Sequence, residues 1–530
     1  MSASDYRKLI PLRVGLCLAQ LGAIVLLMGR TFWSGFPLDD AWIHHQIART
    51  FANSGSLRLF PDSAGGGATS YLWAILLSID HLSIWPTHSP VFFTHALNTA
   101  LFLASGQCLY SILLTDGFSP KLAGLLALLF STAANGVWFA ASGMEAVAFI
   151  LLTLVTIRRW QTEDRVRGSV SLGVAGALLF LLRPDSFALV PLLLVLSGRS
   201  RLLRVLRSLV PIAVAVLVYL CINRRCTGQF LPTTLAGRRW LSLSMVPGTL
   251  YWHHSLSVFF SWADALNTKT LGFRSAVGFW PVCGLFLQGL LTIGSRRPRG
   301  LLALVAWSLV HLATYAILFP NLGHGGRYQP LVPGIFMMTA GLGLVSSCEH
   351  LRRSRSPSVE PVWLLSPALL LIILSSISLV RWRGWQDCAV THINRSEIAM
   401  AKLVARLPPD ARVASFDIGA MSYFSGRTIL DLGGLVDRDL AQLLWAGQTS
   451  TYLRRKAINY VVLPVTLSDS YPGVLNFRYR LGLMDDPTID LVPITFRDSP
   501  VDVWFAGMVA VGNASPRQCL YRVRWKRGDS

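Results

Sequence analysis

Long runs of apolar residues, separated by short polar stretches, dominate the pattern of this chain. Runs near 9–31, 91–114, 121–140, 143–158, 206–223, 276–294, 300–319, 330–347 and 361–380 approach or reach the length of a bilayer span, about 20 residues. Two shorter apolar halves, 169–183 and 185–198, are joined by Arg183-Pro184-Asp185. The proline breaks a continuous helix there, so the halves read as two short spans meeting near the outer face. The pattern predicts a polytopic α-helical membrane protein of about eleven transmembrane helices.

Between the first two long runs the period changes. Asp40 to Asn53 places Ile43, Ile47 and Phe51 at i, i+4 and i+8, one face of a helix. Pro61 to Gly67 is turn-rich. Ser70 to Ile84 is apolar but short, with Asp80, His81 and His88 interrupting or following it, and is expected to lie in the membrane interface. From about 385 the long runs stop. Arg412 to Ser415, Thr428 to Asp431 and Tyr460 to Pro464 read as short strands. Residues 396–406, Asp437 to Ala446 and Tyr452 to Ile458 read as helical. Alternating strands and helices predict a small α/β domain. The expected division is 1–384, a membrane domain whose first outer loop is 34–90, and 385–530, the α/β domain.

Composition agrees with the pattern. Of 530 residues, 52% are hydrophobic and 14% charged, against about 25% charged in an ordinary soluble domain, and mean hydropathy is +0.49. The net charge of +21 would point to nucleic acid in a soluble chain. Here the basic residues cluster between apolar runs, as at Arg158/Arg159, Arg199 to Arg207, Arg296 to Arg299 and Arg352 to Arg355, which is the positive-inside pattern. Nucleic acid is therefore excluded as a partner. The parity puts the N-terminus inside the cytoplasmic membrane and the Asp39-Asp40 loop and C-terminal domain outside, with Arg224/Arg225 and Arg238/Arg239 as outer exceptions. No A-x-A-like cleavage site follows the first run, which is expected to stay as a helix. The eight cysteines form no C-x-x-C pair or zinc spacing; Cys388 and Cys519 both fall outside, where a bridge between them is open.

Candidate chemistry concentrates on the outer side. Asp39 and Asp40 are adjacent carboxylates at a membrane boundary, a costly placement. One could take a proton from an acceptor hydroxyl, or the pair could hold a divalent cation (Mg2+, Mn2+ or Ca2+) that balances a lipid phosphate. The plain alternative is a cap on the helix that follows. His44 is four residues beyond Asp40 and shares its face; it would orient the carboxylate, bind phosphate or ligate metal, or be a structural histidine. Gly65-Gly66-Gly67 could cradle phosphate with backbone N–H groups. Glu145, after Ser142-Gly143-Met144, is a second acid of the site or a helix-start carboxylate. Arg183 and Asp185 bind substrate or simply pair. Arg327-Tyr328, with His324 just before, offers the bidentate fork that suits phosphate, with a snorkelling interfacial arginine as the alternative. Arg238 is a weaker candidate of the same kind.

Taken in order, these pieces resemble the GT-C superfamily of glycosyltransferases that use polyprenyl-phosphate sugars, and within it the mycobacterial terminal arabinofuranosyltransferase type. The resemblance rests on Leu38-Asp39-Asp40-Ala41-Trp42-Ile43 with Ala48-Arg49, Ala68 to Trp73, Ser142 to Glu145, Arg183-Pro184-Asp185, Leu231 to Arg238, and Gly326-Arg327-Tyr328 with Pro330 and Pro333. In the C-terminal part it rests on Leu407 to Ala414, Asp417 to Ala420, Tyr423 to Arg427 and Asp431 to Asp437. It implies an inverting transfer from a polyprenyl-phosphate sugar to a glycan, lipid or protein acceptor of the cell envelope, with an aspartate of the first outer loop, Asp39 or Asp40, as base. The chain departs from the family at Pro232-Thr233-Thr234, where Pro-Asn-Thr is common, at Arg238, where Lys is common, and at His44-His45.

The expected function is thus a membrane glycosyltransferase whose partners are a polyprenyl-phosphate sugar, membrane lipid and an envelope acceptor. A transporter or flippase for a lipid-linked saccharide would instead show internal repeats and mid-span charges. A non-catalytic scaffold with a binding outer domain would have no need of the aspartate pair.

Overall fold

The computed structural model describes residues 3–63, 66, 68–82, 89–162, 166–198, 202–244, 248–273, 276–318, 320–354, 362–465, 476–499 and 517–526. In chain order its first helices are α1 (Ala3–Leu27), α2 (Asp39–Ser54), α3 (Tyr71–Ser78), α4 (Pro90–Thr115), α5 (Pro120–Ser131), α6 (Ala134–Ala141), α7 (Ala146–Thr162), α8 (Val166–Leu182) and α9 (Leu189–Leu196). There follow α10 (Leu202–Thr227), α11 (Thr233–Leu243), α12 (Tyr251–Ala265), α13 (Phe279–Arg296), α14 (Arg299–Leu318), α15 (Val332–Ser354) and α16 (Val362–His392).

Each apolar run expected to span is helical. Among the described residues five helices are long and apolar enough to cross a bilayer: Leu9–Leu27, Pro90–Thr115, Leu202–Thr227, Arg299–Leu318 and Val332–His350. The run at 121–140 is a broken pair, α5 and α6, bent by 61°. At the break the Thr132 carbonyl accepts from the Ser375 hydroxyl, an exchange of helix bond for side-chain bond that kinks helices. The halves around Pro184 are α8 and α9, separated by a 3-10 turn over Pro184–Ser186. Apolar stripes face outward at helical spacing, as at Val210, Val214 and Leu217 of α10, each more than half exposed. Such a stripe is stable only against lipid or another apolar surface. The chain is a multi-pass membrane protein.

The chain forms two compact units. One comprises Met1–Met28, His95–Val216 and Leu256–Gly384. Its interior includes Leu129, Trp262, Phe279, Phe336, Met337 and Ala340. The other comprises Gly29–Thr94, Leu217–Ser255 and Trp385–Ser530. An edge therefore falls at 384/385, but residues 34–90 and 217–255 group with the C-terminal residues rather than with the membrane helices.

The second unit contains a five-stranded sheet in the order β2-β1-β3-β5-β4. The strands are β1 (Val413–Ser415), β2 (Ile429–Asp431), β3 (Tyr460–Val465), β4 (Ile489–Asp498) and β5 (Arg517–Trp525). β1 runs parallel to β2 and β3, with Val413 opposite Ile429 and Tyr460. β3 and β5 are antiparallel, Val462 opposite Leu520. The parallel strands are short and mostly apolar, with buried Ser415 and Asp431 at the ends of β1 and β2. The connecting helices are α17 (Ala399–Val404), α18 (Gly419–Ser425), α19 (Arg438–Trp445), α20 (Thr449–Arg455) and α21 (Phe477–Arg480). Leu440, Leu444, Tyr452, Leu453, Val461 and Tyr521 form the core, and Trp240 of α11 packs into it at 2% exposure, which is why 217–255 belongs to this unit. The three expected strands are β1, β2 and β3. The antiparallel strands β4 and β5 were not expected: Pro493 and a bulge between Pro493 and Thr495 interrupt the alternation that marks a strand.

Ser70 to Ile84 yields α3, whose Tyr71, Trp73, Ala74 and Leu77 are buried inside the second unit while Ile75 and Ile79 stay exposed. His88 lies outside the described residues. Cys388 and Cys519 are not bridged to one another, and Cys519 is buried on β5.

Candidate functional site

Asp39 and Asp40 open α2, and neither caps it. The N-cap is Leu38, which makes no side-chain cap bond. The helix instead gains from two negative charges in its first turn, from Ile47 buried on the face where Ile43 lies, and from Gly55 at φ 67°, whose N–H closes on the Phe51 carbonyl at 2.8 Å.

The two aspartates have different surroundings. Asp39 reaches the start of α18, where its carboxylate accepts from the Gly419 N–H at 2.7 Å and the Ala420 N–H at 2.6 Å. A Cβ at Gly419 would sit 2.1 Å from the Asp39 carbonyl oxygen, so only glycine permits this approach. Two motifs 380 residues apart are thereby joined. Glu397, 5% exposed, hydrogen-bonds Asp39 as well. Asp417 accepts from Gln518 Nε2 at 2.7 Å. With Asp40 these carboxyls form an acidic cluster. Burial, with the charge of Asp39 next, pushes Glu397 well above the usual carboxyl range. Burial followed by the Asp39 and Asp40 charges raises Asp417 to about 7. Burial also raises Asp39, against the hydrogen bonds from Glu397, Ala420 and Gly419. A protonated Glu397 is thus the donor to Asp39.

Behind the pair, α2 is fixed by aromatic and basic contacts. Trp42 packs on Tyr423 and Phe424, ring centroids 5.0 and 4.7 Å away. Arg49 lies 4.3 Å above the Tyr423 ring and donates to the Tyr423 carbonyl at 3.0 Å. His45, fully buried, bridges His81 at 3.3 Å and Thr94 at 2.9 Å, a structural role. His44 is 8% exposed on the same helix. Of the glycine run, Gly65 and Gly67 lie outside the described residues. Gly66 pairs with Arg58 in an isolated bridge.

Arg238 sits on α11, also in this unit. Thr233 Oγ1 donates to the Leu435 carbonyl at 3.0 Å, and a Cβ at Gly237 would come within 2.4 Å of the Gly434 carbonyl. Asp431 holds that loop through N–H bonds from Gly433 and Val436, both 2.7 Å. The motif ending at Arg238 and the motif starting at Asp431 therefore form one surface.

The remaining candidates group in the other unit. Arg183 and Asp185 pair, Nη2 to Oδ2 at 2.6 Å and Nε to Oδ1 at 3.3 Å. Glu145 adds negative charge toward Arg183. Arg183 also donates to the main-chain carbonyls of Arg327 and Tyr328. Arg327 is 4% exposed, its guanidinium 5.4 Å from the Tyr328 ring centroid. His324 opens a one-turn 3-10 helix, His324–Gly326, just before it.

Of the pair expected to hold a metal, Asp39 spends both oxygens on backbone N–H groups, and among the described residues no three His, Cys, Asp or Glu side chains gather as metal ligands. Glu397 and Tyr423 were not expected in the first cluster, nor were Tyr315 and His311, which both contact Asp185, in the second. Glu397 falls in a polar stretch of a helical segment, and nothing in its spacing ties it to residues more than 350 positions away.

The fold has solved counterparts. The archaeal oligosaccharyltransferase AglB from Archaeoglobus fulgidus, in complex with an inhibitory peptide and a dolichol-phosphate, is 12% identical with a TM-score of 0.55, over 88% of this chain and 70% of that one. ArnT from Cupriavidus metallidurans in the apo state is 14% identical with a TM-score of 0.54, over 98% of both chains. Its structure bound to undecaprenyl phosphate is 12% identical with a TM-score of 0.52, again over 98% of both. A family model described as a domain of unknown function, DUF8728, matches residues 388–504. No curated protein matches. At these identities the likeness is one of fold.

Proposed function

From the premise that this chain has the GT-C membrane fold, as AglB and ArnT do, we propose that it transfers a sugar from a polyprenyl-phosphate donor to an acceptor outside the cytoplasmic membrane. The observation that carries this reading is the end-to-end likeness to ArnT bound to undecaprenyl phosphate. The parity of the basic clusters supports an inside N-terminus and an outside C-terminal unit.

Asp40 is the proposed general base. Asp39 has both oxygens committed to Gly419 and Ala420, so base duty falls to its neighbour. Asp40 takes the proton of the acceptor hydroxyl as that oxygen attacks the anomeric carbon. The bond from that carbon to the phosphate oxygen breaks, and polyprenyl phosphate leaves with inversion at the sugar. In the other unit Arg327 is the proposed cation for the lipid phosphate, by charge-assisted hydrogen bonding. Arg238 and His324 are weaker candidates for the same anion. Asp40 is also the member of the pair that a divalent cation would use; activity lost to a chelator and restored by Mg2+, Mn2+ or Ca2+ is the sign of one. The motif resemblance favours an arabinofuranosyl donor.

The test is to offer the purified protein a panel of polyprenyl-phosphate sugars with an envelope glycan extract and to measure free polyprenyl phosphate. Release with one donor, greatest with arabinofuranose, supports the reading. Binding of these lipids without release across the panel favours the transporter instead.

A further inference from the structure

In the first unit one arginine is built into the loop that carries another. Arg183 lies at the break between α8 and the Pro184–Ser186 turn, 5% exposed. Its Nη1 donates to the Arg327 carbonyl at 3.2 Å and its Nη2 to the Tyr328 carbonyl at 3.0 Å. Nη2 also meets Asp185 and the Tyr315 hydroxyl, both at 2.6 Å. The Phe149 ring lies 4.6 Å beneath the guanidinium. Asp185 Oδ2 accepts in turn from the Tyr315 hydroxyl at 2.7 Å and contacts His311 Nε2 at 3.0 Å. The His311 ring is sandwiched by Phe149 and Trp307 at 5.2 and 5.3 Å, and Tyr315 stacks on Tyr328 at 5.5 Å.

A buried Arg–Asp pair offsets its desolvation only with good geometry and further hydrogen bonds to its remaining donors and acceptors, so such bonds alone are weak evidence of a role beyond the pair. This one does more. The guanidinium grips the 327–328 loop by two successive main-chain carbonyls, while Asp185, Tyr315, His311 and two aromatic rings fix its own orientation. A planar fork with several donors can do this; a lysine ammonium cannot hold all these acceptors in one geometry. A loop held by its main chain presents its side chain from a fixed Cα, the preorganisation that phosphate recognition by one arginine requires.

We infer that Arg183 is a positioning residue: by tying the carbonyls of Arg327 and Tyr328 to Asp185 and Tyr315 it sets the Arg327 guanidinium for a lipid phosphate. The inference rests on the reading of Arg327 as the phosphate cation. Tyr315 completes the tie by linking Arg183 to Asp185 and bracing Tyr328.

The experiment uses the full chain in detergent as wild type, Arg183→Lys, Tyr315→Phe, Arg327→Lys and the Arg183→Lys/Arg327→Lys double variant. Two quantities are read: amide hydrogen exchange over residues 322–329, and affinity for undecaprenyl phosphate. The loop amides of Gly326, Arg327, Tyr328 and Gln329 are bonded within the loop, so they report its fixation without any ligand. Arg183→Lys should speed their exchange by about tenfold or more, Tyr315→Phe by less, with α5 and α15 unchanged. Either variant alone should weaken lipid-phosphate binding, and the double variant should bind no more weakly than Arg327→Lys. Unchanged loop exchange in Arg183→Lys overturns the inference, as do losses of affinity that simply add. Should Arg183→Lys fail to fold, Tyr315→Phe decides the matter by the same two quantities: faster loop exchange with weaker lipid binding supports the inference, and unchanged exchange overturns it. If wild type binds no polyprenyl phosphate, the phosphate reading of Arg327 fails and the inference falls with it, while the exchange data still decide whether Arg183 fixes the loop.

Discussion

Asp39 reaches from the first turn of α2 to the N–H of Gly419 at the start of α18, 2.7 Å away, and takes the next N–H, of Ala420, with its other oxygen. An aspartate at this position is a fastener. Asp39→Asn replaces one acceptor oxygen by a donor that faces an N–H, at a cost of about 1–3 kcal/mol. The melting temperature of the purified protein should fall, and activity should fall in step with the folded fraction. Asp40→Asn leaves both of those N–H bonds in place and should cost less stability than Asp39→Asn, so the two adjacent substitutions separate by calorimetry before any assay.

Gly237 tests the second fastening in the same unit. Its absent side chain leaves room for the Gly434 carbonyl, which a Cβ would approach within 2.4 Å. Gly237→Ala should cost about 1–3 kcal/mol of overpacking and loosen α11 from the loop after β2. Proteolysis in the 228–250 region should accelerate, with the 61°-bent helix pair α5–α6 unaffected.

The acidic cluster predicts a pH dependence of stability. Asp417 is raised from its ordinary value of 3.8 to about 7, by burial first and then by Asp39 and Asp40. Below about pH 4 it is protonated whether folded or not. Between there and about 7 the folded chain keeps a proton that the unfolded chain has lost, so the contribution is present at low pH and is lost as pH rises through about 7. Asp417→Asn keeps an acceptor for Gln518 and removes the titration. It should raise the melting temperature at pH 8 by about 2–4 °C relative to wild type and by less at pH 5, read by scanning fluorimetry across the range.

Arg327→Gln removes the charge proposed to receive lipid phosphate and keeps a hydrogen-bonding head. The KM for the donor should rise by about 10- to 100-fold, with a smaller effect on the KM for the acceptor. Equal effects on both substrates would assign Arg327 to the packing of its loop.

The helical runs were legible because a bilayer demands about 20 apolar residues in a row, and that demand is local. The strands β1, β2 and β3 were legible for a similar reason, their valines and isoleucines standing between turn residues. What could not be read was pairing at long range. Glu397 and Gly419 meet Asp39 only through the fold, and no spacing along the chain encodes it. Arg183 and Asp185 were legible as neighbours, but the grip of Arg183 on the Arg327 and Tyr328 carbonyls uses main-chain atoms, on which sequence is silent. The aspartate pair was ambiguous for the same reason: which of the two is tied to backbone N–H groups depends on where α18 starts, not on their order.

The most direct test of the central claim is single-donor turnover by Asp40→Asn. Purified wild type and variant are given the polyprenyl-phosphate sugar that wild type uses, with acceptor in excess, and free polyprenyl phosphate is measured over time. If Asp40 is the base, the variant should release it about 10²- to 10⁴-fold more slowly while binding the donor as well as wild type does. Wild-type turnover in Asp40→Asn would contradict the account.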